Sequence, residues 1–114
     1  MPAFLTKYFP FSASFSRGTK IHGHNYLLGV TVPYLGRSEE KTLEEKIHSA
    51  VITKVHSKDL GLHTDFFKDS PITEENMLKV FWKIIEREIA PVRLKELSLE
   101  RDQKTKFFIN NKKD

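Results

Sequence analysis

An α+β fold, a four-stranded antiparallel sheet with two helices on one face, is predicted by three patterns in this sequence. Two long period-two runs come first, Ala3 to Phe15 and Ile21 to Pro33, joined by the short polar turn Ser16-Arg17-Gly18-Thr19-Lys20. Two helical stripes follow, carried by Leu43-Ile47-Val51-Val55 and by Met77-Leu78-Phe81-Ile84-Ile85-Ile89. Two shorter runs close the chain, Val92 to Glu100 and Thr105 to Ile109, with Arg101-Asp102-Gln103-Lys104 as the turn between them. The order is strand, strand, helix, helix, strand, strand, within one domain spanning residues 1–114. A single sheet with both helices on one face buries both stripes and leaves its other face partly open. In a chain this short, that face and the strand edges favour self-association.

In the first strand Phe9, Phe11, Ala13 and Phe15 share a face, with Ser12 and Ser14 opposite. Pro10 cannot donate to a ladder, which suggests an edge or a bulge. Ser38 followed by Glu39-Glu40 reads as a cap with acidic residues in the first turn, and the helix runs to about His56. His48 and His56 fall on or beside its solvent side. Residues 57–71 read as irregular and hold Asp59, His63, Asp65 and Asp69. Thr73 reads as the N-cap of the second helix, with Asn76 at N3 and Glu74-Glu75 favoured by the helix dipole. Pro91 ends that helix, Trp82 lies at the margin of its stripe, and residues 110–114 form a polar tail.

Composition narrows the function classes. The chain has 114 residues, 39% hydrophobic and 30% charged, which is ordinary for a globular protein. No apolar run approaches the roughly 20 residues of a membrane span, and Met1-Pro2-Ala3-Phe4-Leu5 lacks a signal-peptide pattern. The absence of cysteine excludes disulfides, thiolate ligands and a cysteine nucleophile, and fits a cytoplasmic location. A net charge of +4 is spread along the chain, with small clusters at Lys104-Lys106 and Lys112-Lys113. That spread reads as solvated surface charge and ranks nucleic acid last among candidate partners.

The chemistry concentrates at Ile21-His22-Gly23-His24-Asn25-Tyr26. On a strand His22 and His24 point the same way, with Cα atoms about 6–7 Å apart at a rise of about 3.3 Å per residue. Two such imidazoles can converge on one metal ion, or can simply meet solvent at a polar strand end. A zinc site needs at least a third ligand.

These motifs resemble those of the 6-pyruvoyl-tetrahydropterin synthase family, which includes 6-carboxytetrahydropterin synthase of the queuosine pathway. The resemblance runs end to end. It is carried by Phe11-Ser12-Ala13-Ser14, by His22-Gly23-His24-Asn25-Tyr26 with Val30-Thr31-Val32, by Thr73-Glu74-Glu75-Asn76, and by Leu97-Ser98-Leu99-Glu100. It implies the T-fold, a homo-oligomer of trimers or stacked hexamers, and sites between subunits. It also implies zinc held by three histidines, two of them matching His22 and His24, acting as a Lewis acid in a carbon–oxygen lyase reaction on dihydroneopterin triphosphate or a related pterin. Glu100 matches the glutamate that anchors the amino-pyrimidine edge of the pterin, and His63 matches the histidine of the catalytic Asp-His pair.

The departures are specific. Phe15 stands where the family has its first zinc histidine, and Gly18 or Ser16 where it has its cysteine. The loop before His22 is shorter. Leu62 precedes His63 in place of the aspartate, leaving Asp65 or Asp59 to orient that ring, and Arg101 replaces the threonine after Glu100. A third ligand would come from elsewhere, such as His63 or a neighbouring subunit. Two functions follow from the resemblance: a zinc-dependent pterin lyase using His22, His24, His63 and Glu100, or an altered T-fold protein that binds a pterin or purine without that turnover.

Overall fold

The computed structural model describes residues 3–34, 36–68 and 70–111, with Arg17 described by its backbone alone. The alternating aromatic run makes β1 (Phe4–Arg17), and a turn with Gly18 at φ 64° returns the chain as β2 (Lys20–Pro33). The two pair antiparallel over their whole length, Phe4 against Pro33 and Arg17 against Lys20. Fourteen residues at about 3.3 Å each give a ribbon of about 46 Å, which sets the 49 Å long dimension of the molecule.

The first helix is α1 (Arg37–Ile47), which passes through a π segment, His48–Ile52, into α2 (Thr53–Val55). The expected stripe holds, with Leu43, Ile47, Val51 and Val55 all buried. Ser38 is not its cap: the N-cap is Gly36, whose φ of 113° favours glycine, and the Ser38 hydroxyl donates to the Glu39 carboxylate at 2.8 Å. The second long helix, α4 (Glu74–Ile89), begins as the sequence predicts, with Thr73 Oγ1 accepting the Asn76 N–H at 3.1 Å. It precedes β4 (Glu96–Arg101) and β5 (Thr105–Asn110), paired antiparallel. The third long strand thus starts at Glu96 rather than Val92. The Val92 N–H still bonds back to the Ile89 carbonyl, and Leu94 is buried outside the ladder.

The sheet has five strands, not four, in the order β3-β1-β2-β4-β5, and it is mixed rather than purely antiparallel. The extra strand, β3 (Lys58–Asp59), lies parallel to β1 at Ala13 and Ser14 and leads into a single turn, α3 (Leu60–His63). Two residues are too few to show periodicity. They are held by contacts before them: the Ser57 N–H donates to the Ser12 carbonyl at 2.6 Å, and His56 Nδ1 accepts the Ser12 N–H at 3.1 Å. Pro10 sits beyond this short pairing, where β1 has a strand partner on one side only, as the proline suggests.

Both long helices cover one face, where Phe9, Phe11, Phe15, Leu28, Val30, Leu97 and Leu99 meet Ile47, Phe81 and Ile85. The other face carries Tyr8, Ser12, Asn25, Gly29, Ser98, Glu100 and Phe108 by strand parity. Among the described residues no helix is long and apolar enough to cross a membrane.

Candidate functional site

β2 outruns its neighbour. β4 pairs with it only from Tyr26 to Thr31, so residues 20–25 extend past the sheet beside β1 alone. At that overhang lies an open cleft of about 570 Å³. Ser12, Ser14, Gly23 and Asn25 of the ribbon line it, and Ser12 Oγ donates to Asn25 Oδ1 at 2.9 Å. Lys58, Asp59 and His63 border it from β3 and α3, and His24 and Asp102 also line it.

Of the residues singled out in the sequence, His24 and His63 share this cleft. His22 stands beside His24 with rings 21° apart in plane and centroids at 6.4 Å, but does not line the cleft. Both imidazoles lie on the parity of Tyr26 and Leu28, the helix side. Glu100 is half-buried on the opposite face, paired across from Leu27 and Lys106. On that face its diagonal neighbour toward the overhang is Asn25, a step of about 7–8 Å, and Glu100 itself does not line the cleft.

Asp102 organises the overhang, and no motif marks it beyond a turn position. Its backbone adopts φ 53°, tolerable for Asp. Its N–H donates to the Asn25 carbonyl at 2.8 Å, its Oδ1 accepts the Asn25 N–H at 3.0 Å, and its Oδ2 lies 2.7 Å from His24 Nδ1. The His24 ring N–H, then the Asn25 N–H, hold its carboxyl below the usual carboxylate range. An ionised carboxylate only accepts, so His24 Nδ1 carries the proton.

His63 is exposed, and its Nδ1 accepts the Asp59 N–H at 3.2 Å. Asp59 orients this ring through its backbone; its carboxylate instead caps α3, accepting from the Gly61 and Leu62 N–H groups at 3.0 Å each. Asp65 points elsewhere, 4.0 Å from Lys68.

Behind His24 lies a buried polar cluster. Glu74, only 7% exposed at the start of α4, accepts from the Tyr26 hydroxyl at 3.1 Å and from Arg101 at 3.0 Å. Burial pushes the Glu74 carboxyl up, but the helix N–H, Arg101 and Tyr26 together outweigh it and hold the group below its ordinary range. Burial first, then the Glu74 charge, pushes the Tyr26 phenol up. Arg101, conspicuous in sequence only as a departure from threonine, is thus turned inward and also lies over Phe107, 5.4 Å from the ring centre.

Phe15, 1% exposed, stacks on His22 at 5.6 Å. Among the described residues no group of three or more His, Cys, Asp or Glu side chains is placed to hold a metal. A zinc site needs at least three protein donors, so the described residues of a single chain do not fit the ion.

The sequence matches no protein-family model and no curated protein. Its fold does match solved structures: 6-pyruvoyl tetrahydropterin synthase of Caenorhabditis elegans superposes with a TM-score of 0.81, at 19% identity over 97% of this chain and 96% of that one. The chain has a T-fold-like α+β structure similar to that synthase, with a five-stranded mixed sheet in place of the expected four-stranded antiparallel one.

Proposed function

We propose that this protein is a pterin-binding relative of the 6-pyruvoyl-tetrahydropterin and 6-carboxytetrahydropterin synthases, with Glu100 as the anchor for the amino-pyrimidine edge of the ligand. One observation supports the reading: half-buried Glu100 stands on the helix-free face one diagonal step from Asn25, which lines the polar cleft. A carboxylate accepts two parallel N–H donors, which a pterin or a purine of the guanine type offers along one edge. Glu100 projects to the helix-free face and His24 to the helix side, and in the family that this chain resembles the sites lie between subunits. The proposed working form is accordingly a homo-oligomer, a trimer or a hexamer of stacked trimers. In this reading the ligand is bound without the thiol- and zinc-dependent turnover of the synthases, because Phe15 stands in the sequence where the resemblance expects the third zinc histidine and cysteine is absent.

A second reading, zinc-dependent lyase action with His22 and His24 as metal ligands and His63 as base, is favoured by one geometric fact. The two rings lie nearly parallel on one face, 6.4 Å between centroids. It requires a third donor from a neighbouring subunit.

Titration with neopterin, followed by fluorescence, tests the first reading. Wild type binds, Glu100→Ala does not, and both elute as the same oligomer. Binding that survives Glu100→Ala removes Glu100 from the site. Elemental analysis decides the second: about one zinc per chain supports it, and none after incubation with excess zinc rejects it.

A further inference from the structure

The β3–α3 segment is clipped to β1 at one residue. Ser12 uses both of its backbone groups: its N–H donates to His56 Nδ1 at 3.1 Å, and its carbonyl accepts the Ser57 N–H at 2.6 Å. His56 closes α2 with an extended backbone, ψ 128°, and Ser57 follows at φ 59°. Serine holds that left-handed conformation only where its surroundings impose it. β3 then pairs with β1 over two residues, Ala13 against Lys58 and Ser14 against Asp59. So short a strand owes its place to the clip before it. The segment matters to the site because Ser57, Lys58, Asp59 and His63 all line the cleft.

The clip needs a neutral ring. An imidazole that accepts at Nδ1 carries its proton at Nε2, whereas an imidazolium donates at both nitrogens and would set one N–H against another. His56 is exposed, so protons reach it from solvent. The short helix it closes packs on the π segment, on β1 and on β3. The titratable groups of these elements are His48, Lys54, Lys58 and Asp59, with none on β1 between Tyr8 and Arg17. Among the described residues none of them forms an ion pair with His56, and the Asp59 carboxylate is taken by the Gly61 and Leu62 N–H groups. We propose that His56 is a pH-sensitive latch: its neutral ring clips the β3–α3 strap to β1, and its protonation frees the strap and opens that side of the cleft. The latch does not depend on what the cleft binds, so it stands or falls apart from Glu100.

The sign follows from the ring. The latch is closed above the range in which imidazoles titrate and opens as pH falls through it. With an ordinary midpoint of about 6.5, the neutral share of a freed ring falls about tenfold from pH 7.5 to pH 5.5, and the closing equilibrium falls with it.

The experiment is amide hydrogen exchange by NMR on the full chain at those two pH values, each rate divided by the intrinsic rate at the same pH. In wild type, protection at Ser12 and Ser57 is expected to fall about tenfold at the lower pH, with the β4–β5 amides unchanged. In His56→Asn the side-chain oxygen stands as many bonds from Cα as Nδ1 does and accepts at every pH, so protection is expected to stay level. That variant keeps His63, whose Nδ1 accepts the Asp59 N–H within the strap, so a level profile also excludes His63 as the source. Unchanged protection in wild type overturns the latch. An equal fall in His56→Asn removes His56 from it. A fall confined to Ser12, with Ser57 unmoved, overturns the release of the strap.

Discussion

Arg101→Leu is the most informative perturbation of the fold around the site. Glu74 is 8% exposed at its side chain and takes its strong donor from Arg101 at 3.0 Å, while the Arg101 side chain is itself 32% exposed. Removing one partner of a fully buried ion pair costs about 3–5 kcal/mol. Two features reduce that figure here. The Tyr26 hydroxyl stays on the same carboxylate oxygen, and water reaches the guanidinium side of the pair. The expected loss is about 2–3 kcal/mol, the range of a hydrogen bond to a charged group. For a domain of this size that lowers Tm by about 8–15 °C. The pH dependence carries the sign. In wild type the folded Glu74 carboxyl sits below its ordinary 4.5, so it contributes stability above that value and loses it as pH falls through the folded value. The difference between wild type and variant should therefore be largest at neutral pH. It should shrink below about pH 4.5, where a neutral acid no longer needs the arginine. Urea unfolding followed by tryptophan fluorescence at pH 7 and pH 4 measures both. A loss below about 0.5 kcal/mol at pH 7 would mean that the pair is a surface contact. A pH-independent difference would mean that Arg101 acts through packing on Phe107.

Phe15→His should restore a three-histidine set, since Phe15 pairs directly with His22 on the face that also holds His24; zinc content should rise to about one per chain, while the metal-free variant loses about 1–3 kcal/mol for burying an unsatisfied polar ring. No gain in zinc would show that the three positions do not converge. Gly29→Ala should destabilise by about 1–3 kcal/mol, because the new Cβ would overlap Ser98 Oγ and press on the Tyr8 ring at 3.2 Å. The double variant Gly29→Ala with Ser98→Gly should recover part of that loss in thermal unfolding. His56→Ala removes the acceptor of the Ser12 N–H and should cost about 0.5–1.5 kcal/mol. Amide exchange at Ser12 should quicken, with β4 and β5 unaffected.

What the sequence made legible was periodicity. Phe9, Phe11, Ala13 and Phe15 alternate strictly, and Leu43, Ile47, Val51 and Val55 keep one helix face, so both elements and their buried sides were readable in advance. Thr73 and Asn76 declared the start of α4 by cap chemistry. β3 was illegible because two residues carry no period; its pairing depends on a side chain, His56, standing in as a hydrogen-bond acceptor for the edge of β1. In the site, the neighbours His22 and His24 were readable from i, i+2 geometry. Asp102 was not, because it lies 78 positions from His24 and only the closing of β4 against β2 joins them. Glu74 reads only as an acid favoured by the helix dipole, and nothing local announces that a tyrosine and an arginine enclose it.

The placement of Glu100 and His24 on opposite faces follows from register. Leu27 pairs with Glu100, and Tyr26 pairs with Arg101, so adjacent residues of β4 part to opposite sides. Arg101 goes inward to Glu74 and Glu100 goes outward to the helix-free face. A one-residue slip of β4 would exchange them, placing a carboxylate against buried Glu74 and opening a gap in the core where Leu99 lies. The Glu74–Arg101 pair therefore guards the register that presents Glu100. Arg101→Leu should leave that register standing, because Leu97 and Leu99 still demand the inner face. Arg101→Glu should not, since two carboxylates would then meet beside Tyr26. The expected result for Arg101→Glu is lost neopterin binding together with lost β2–β4 amide protection. Protection that survives the charge reversal would show that the leucines alone fix the register.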